Sequence, residues 1–203
     1  MTANKTHWET IYETKTPDQV SWTQNYPQTS LEAILETTPN RSAPIIDLGG
    51  GDSQLVDHLL ELGYTDITVV DIAAKALERA KFRLGEKANQ VHWIEADIAA
   101  FTPERHYSCW HDRAAFHFLT TPEAIAHYKT SVLKAAPEYC IIGTFAKDGP
   151  LKCSGLEIQQ YDEDSMEAVF QPEYLRTKSL HIAHTTPFET IQNFIFCTFK
   201  IKR

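Results

Sequence analysis

Residues 45 to 55, Ile45-Ile46-Asp47-Leu48-Gly49-Gly50-Gly51-Asp52-Ser53-Gln54-Leu55, set the architecture of everything that follows them. A short apolar run suited to a buried strand enters three glycines, and a helical pattern opens directly behind. Leu55, Val56, Leu59 and Leu60 recur at helical spacing between Gln54 and Leu62, and Gly63 stands where a helix C-terminal cap belongs. Glycines admit positive φ and let the backbone come within contact distance of a ligand. In an open α/β sheet such a turn marks the strand end at which ligands bind. An acid closing the second strand accepts hydrogen bonds from a ribose, and Asp71 lies about 20 residues beyond Gly51, near the spacing of nucleotide-binding βαβ units.

Outward from this unit, short apolar runs alternate with helical patterns, the signature of stacked βαβ units on a parallel sheet. The strands expected are Pro44 to Leu48, Ile67 to Asp71, Val91 to Ala96, a weaker one from Tyr107 to about His111, and Tyr139 to Phe145. Helices are expected over 75–84, closed by Gly85, and over 122–133, where Thr120 and Glu123 have capping-box spacing and Pro122 suits a first turn. Residues 146–156 read as a surface loop, and 162–170 as a short helix. Thr177 to His184 and Gln192 to Ile201 have no helix between them and read as an antiparallel hairpin. The fold class is therefore α/β: a Rossmann-like, doubly wound sheet of seven strands, mostly parallel, with a C-terminal antiparallel hairpin. One domain spans 1–203, with a core over 44–203 and a leader over 1–40. The leader carries Trp8, Tyr12, Trp22 and Tyr26, a polar loop, and a short helix from Leu31 to Glu36 behind the capping-box pair Thr29 and Glu32.

The formal charge of -8 argues against a long nucleic acid as partner, because phosphate binding relies on clustered Lys and Arg. Lys200, Lys202 and Arg203 form the one compact basic group, readable as a solvated chain end. No run approaches the roughly 20 apolar residues of a membrane helix, and the first ten residues lack a secretory apolar stretch, so a cytoplasmic location is expected. The four cysteines are scattered without a CxxC pair and read as reduced and structural. His111, Asp112 and His117, or His181 with His184, lack a third well-spaced ligand, so no metal is expected.

The glycine turn does not suit every nucleoside ligand. A dinucleotide fingerprint beginning at Gly49 requires glycine at position 54, which is Gln54. Asp47 and Asp52 flank the turn and suit a cationic ligand better than a pyrophosphate. A phosphate loop fails for want of a following GK[ST].

In these features the chain resembles the class I S-adenosylmethionine-dependent methyltransferases, from Pro44 to the C-terminus. The resemblance implies S-adenosyl-L-methionine as donor and S-adenosyl-L-homocysteine as product. Asp47, Gly49 and Gly51, with Gly50 between them, match the acid-x-Gly-x-Gly turn that binds the methionine moiety. Asp71 matches the ribose acid with Ile72 against adenine, and Asp97 with Ile98 matches the acid that binds the adenine amino group. In the family fold the fourth strand ends beside the first, which brings His111-Asp112-Arg113-Ala114-Ala115-Phe116-His117 to the donor and acceptor. His111 is then expected at the donor, Asp112 orienting an acceptor or the donor, His117 as a base, Arg113 pairing with a carboxylate, and Phe116 against the substrate.

The leader is similar to that of a subgroup containing the citrate synthase and elongation-factor lysine methyltransferases, through Trp8, Tyr12 and Trp22. Trp22 is expected against the donor and Tyr12 against the acceptor, as a lid whose removal up to about Ser42 leaves a folded core. Where the lysine enzymes read roughly Asp-Lys-Gly-Thr, this chain reads His111-Asp112-Arg113-Ala114, so a small-molecule acceptor is the leading expectation. A protein lysine acceptor is the alternative, and a noncatalytic nucleoside-binding module stands behind both.

Overall fold

Strand β1 (Ile45–Leu48) lies at the centre of the molecule and is buried along its whole length. The computed structural model describes residues 3–202. In chain order they form α1 (Ala3–Thr14), a 3-10 turn at Pro17–Gln19, α2 (Gln28–Thr37), β1, α3 (Leu55–Glu61), β2 (Ile67–Asp71), α4 (Ala74–Leu84), β3 (Val91–Glu95) and β4 (Cys109–Arg113). There follow α5 (Pro122–Ala135), β5 (Tyr139–Phe145), the two-residue strands β6 (Lys152–Cys153) and β7 (Leu156–Glu157), α6 (Glu163–Phe170), β8 (Tyr174–Thr185) and β9 (Ile191–Ile201).

The sheet order is β3-β2-β1-β4-β5-β9-β8. β1 to β5 pair in parallel, β9 runs antiparallel to β5, and β8 is antiparallel to β9, giving the expected seven-stranded Rossmann-like sheet and terminal hairpin. The chain winds outward from β1 to β3 and then returns to lay β4 on the other side of β1. That reversal opens a crevice beyond the C-terminal ends of β1 and β4, where α/β sheets bind ligands. The glycine turn occupies it.

Strand alternation sorts side chains into two cores. Ile45, Cys109, Ile141 and Phe194 join Leu31, Ile34, Leu55 and Leu59 on one face. Ile46, Leu48, Trp110, Ile142 and Ile195 join Tyr128, Val132 and Phe170 on the other. In the first core, Leu31 and Ile34 of α2 are 1% and 0% exposed. α2, which falls within the stretch read as leader, thus contributes Leu31 and Ile34 to the core.

Several local expectations are corrected. β4 begins at Cys109 and reaches Arg113, because its ladder starts with Ile45 opposite Cys109 and runs to Leu48 opposite Asp112. The polar His111-Asp112-Arg113 stretch looks like a loop by composition but has buried partners. Thr121, not Thr120, caps α5 by accepting from the Ala124 amide at 3.3 Å. Thr29 lies inside α2, which starts behind Pro27 without a side-chain cap. The stretch read as a loop over 146–156 contains β6, whose Cys153 is buried. All four cysteines are free and buried.

The leader's first helix is fixed to the sheet domain. The Glu9 carboxylate accepts from the amides of Ala74 (2.8 Å) and Lys75 (3.1 Å), satisfying donors at the start of α4. Lys5 pairs with Glu95, and Arg79 donates to the Lys15 carbonyl at 2.7 Å.

Candidate functional site

Two adjoining cavities fill the crevice. The larger, about 260 Å³, is walled by Asp71, Ile72, Asp97 and Ile98 from the ends of β2 and β3, and by Phe118 and Leu119 from the turn after β4. The smaller, about 120 Å³, is walled by Asp47, Gly50, His111 and Ser30. Gly49, Arg113, Tyr12 and Trp22 line both, so the glycine turn and the leader meet at their junction.

The turn holds this shape because nothing larger than hydrogen fits. Gly49 has φ +63°, and a Cβ there would come 2.4 Å from Ala115 Cβ. Gly51 has φ +44°, and its Cβ would meet Asp71 Oδ2 at 2.8 Å and the Tyr12 hydroxyl at 2.9 Å. Gly51 lies in neither cavity wall; its smallness lets the β2 acid and the leader tyrosine close on the turn. Beyond β4, Ala114 also adopts a left-handed φ of 65°, a strained conformation for a residue with a side chain.

Asp71 is 5% exposed, and its Oδ1 accepts from the Ala73 amide at 2.8 Å. Burial pushes its carboxyl up to about 7, with the negative charges of Asp47 and Glu9 adding to the rise and the Ala73 amide opposing it. Asp97 holds its own turn by accepting from the Ala99 amide at 2.9 Å. In the smaller cavity the His111 ring bridges Asp47 Oδ1, at 2.7 Å from Nδ1, and the Ser30 hydroxyl, at 2.9 Å from Nε2. The pairing follows from register: Asp47 and His111 are direct neighbours across β1 and β4, and point to the face that carries α2. Ser30 was not foreseen, since a serine inside a helix gives no sign in sequence of the histidine it will meet.

The structure separates the residues expected from the fourth strand. Cys109, His111 and Arg113 point to one face and Trp110 and Asp112 to the other. Asp112 is therefore turned away from both cavities toward α5, where it accepts from the amides of Ala115 (3.1 Å) and Phe116 (2.9 Å) and the Tyr128 hydroxyl (2.8 Å). Burial raises its carboxyl to about 6 against those three donors. It shapes the turn beside Gly49 and lines neither cavity. His117 is fully buried, stacked on Phe145 with ring centroids 4.5 Å apart, and neither ring nitrogen has a protein partner. Burial, helped by the positive charge of Arg113, lowers it to about 3, so it stays neutral in the core, and it lines neither cavity. Phe116 packs against Tyr128, Tyr161 and Phe170 inside the core and lines neither cavity. The cavity instead takes Phe118 and Leu119, two and three positions on.

Arg113 does reach the site. Its Nη1 donates to the Trp22 carbonyl at 2.9 Å, and its guanidinium lies 5.2 Å over the Phe194 ring. Above it the leader aromatics form a roof: Trp8, Tyr12 and Trp22 pack edge-on or tilted with centroids 5.7 to 6.4 Å apart, and Trp8 meets Phe118 at 5.1 Å. Cys153 closes the larger cavity, its thiol pushed up to about 12 by burial. Elsewhere, His181 pairs with Glu163 and His184 with the Ser21 carbonyl, each at 2.7 Å. Among the described residues no helix is long and apolar enough to cross a membrane.

Residues 45–135 match the family model for a methyltransferase domain. No match was found among curated proteins. Among solved structures, the chain is similar to a SAM-dependent methyltransferase from Anabaena variabilis ATCC 29413, at 13% identity over 100% of this chain and 96% of that one, with a TM-score of 0.76. It is also similar to the 1,6-didemethyltoxoflavin-N1-methyltransferase of Burkholderia thailandensis, solved with 1,6-didemethyltoxoflavin and S-adenosylhomocysteine bound (16% identity, 98% and 88% covered, TM-score 0.72). A third is the glycopeptide N-methyltransferase MtfA complexed with S-adenosylmethionine (12% identity, 93% and 99% covered, TM-score 0.66).

Proposed function

We propose that this chain, which carries a methyltransferase domain on the seven-stranded class I fold, transfers the methyl group of S-adenosylmethionine directly to a small-molecule acceptor, leaving S-adenosylhomocysteine. The observation that carries this reading is the junction at Gly49, with Asp71, Ile72, Asp97 and Ile98 on one side and Asp47 on the other.

Asp71 accepts the ribose hydroxyls of a donor in the larger cavity, Ile72 and Ile98 flank its adenine, and Asp97 accepts from the adenine amino group. The methionine end follows the backbone at Gly49 and Gly50 toward Asp47, whose negative charge suits its ammonium. The donor supplies a methyl already activated by sulfonium charge. The chain's residues have then to align the acceptor, exclude water and take a proton where the acceptor carries one. Tyr12 and Trp22 roof the junction, and an aromatic face over a sulfonium contributes about 0.5 to 2 kcal/mol. Where the acceptor has an N–H or O–H to lose, the Ser30 hydroxyl passes that proton to His111, whose other nitrogen Asp47 holds.

Roofed cavities of about 120 and 260 Å³ suit a small molecule better than a side chain on a folded protein. The test is incubation with methyl-labelled S-adenosylmethionine and a cell lysate divided by size. Label entering the metabolite fraction, and lost with Asp71→Ala, is the expected result. Label on a discrete protein band, or in neither fraction, contradicts the proposal.

A further inference from the structure

Arg113 has one feature that the other site residues lack. Its Nη2 is shut off from solvent and has no hydrogen-bond partner. Arg79, Arg83, Arg105 and Arg176 each meet an aspartate or glutamate, whereas among the described residues no carboxylate stands in ion-pair contact with Arg113. Burial in this wall lowers its guanidinium from the usual range to about 10, although the charge of Asp47 works the other way. Arg113 is part-buried, and a cation with one donor shut off from water and no carboxylate partner is ordinarily matched by an anion. Among the described residues no carboxylate makes an ion pair with it, and Asp47 acts only through its more distant charge.

The guanidinium is also held in place. The Trp22 carbonyl fixes Nη1 and the Phe194 ring supports the plane, in a side chain that lines both cavities at their junction. On the methyltransferase reading, on which this inference rests, the sulfonium also lies at that junction. Two cations side by side repel unless an anion is bound between them. The donor's own carboxylate does not have to serve, because the Lys15 ammonium lines the smaller cavity on the leader side. We propose that Arg113 binds the acceptor, and that the acceptor is a small molecule bearing a carboxylate. A planar guanidinium with free N–H groups matches a carboxylate in geometry as well as charge. The same contact places the acceptor beside the methyl group and beneath Trp22.

Calorimetric titrations test this without knowledge of the natural acceptor. S-adenosylhomocysteine is titrated first into the wild type, Arg113→Gln and Arg113→Lys; benzoate and its neutral isostere benzamide are then titrated into each product-loaded protein. The expected result is benzoate binding at least tenfold tighter than benzamide in the wild type. That preference should vanish in Arg113→Gln and persist in part in Arg113→Lys, which also guards against a variant that merely misfolds. Equal binding of benzoate and benzamide by the wild type overturns the proposal. Failure of the wild type to bind S-adenosylhomocysteine overturns instead the methyltransferase reading beneath it.

Discussion

Asp71 has a carboxyl that burial holds near pH 7, yet a ribose hydroxyl donates best into an ionised carboxylate. Donor binding favours the ionised form, so below about pH 7 a proton must leave before binding. The affinity for S-adenosylhomocysteine should fall as pH drops from 8 to 6, by up to about tenfold per unit, with proton release visible as buffer-dependent heat. A flat profile would show that Asp71 does not touch the ribose. Asp112 answers to a different test. Asp112→Ala leaves two buried amides and the Tyr128 hydroxyl without their acceptor, and should cost about 3 kcal/mol of stability in denaturant unfolding. Asp112→Asn, which keeps an accepting oxygen, should recover part of it. Full stability in Asp112→Ala would contradict the structural role. That Asp47, Gly49 and Asp71 would meet at one crevice was legible in sequence because strand, glycine turn and strand-end acid are local patterns, and Asp97 followed from the family resemblance. Asp112, Phe116 and His117 were misplaced because a run of adjacent residues was credited together, when the period of two along β4 sends Asp112 to the opposite face.

At the scale of elements, the leader divides into a roof and a structural helix. Capping-box spacing pointed to α2, but nothing in the leader's sequence revealed that Leu31 and Ile34 lie at zero or near-zero exposure under the sheet. Such contacts are between residues far apart in the chain, and local pattern is silent on them. α1 went unread for a similar reason: much of its support comes from Glu9 at the start of α4 and from aromatic packing, both tertiary. Two truncations separate the parts. Removal of residues 1–24 should leave a cooperatively folded protein that binds S-adenosylhomocysteine at least tenfold more weakly, since Tyr12 and Trp22 are gone. Removal of 1–41 also strips α2, with about 1.5 to 3 kcal/mol for each of Leu31 and Ile34 and the apolar surface they cover, and should not fold. Circular dichroism melts check both. A folded 42–203 fragment would return α2 to the status of an appendage.

Across the whole molecule, the order in which the strands are laid down creates the site. The crevice exists because β4 returns to the far side of β1, so the glycine turn, the acids of β2 and β3 and the arginine of β4 converge although they span more than a quarter of the chain. The most direct test of that convergence is a calorimetric titration of S-adenosylmethionine into the wild type and into Asp71→Ala, with thermal melts of both. The wild type should bind one equivalent, and the variant, losing charge-assisted bonds of about 1.5 to 3 kcal/mol each, should bind at least tenfold more weakly while melting as a folded protein. No binding by the wild type, or the same dissociation constant in Asp71→Ala, would contradict the account.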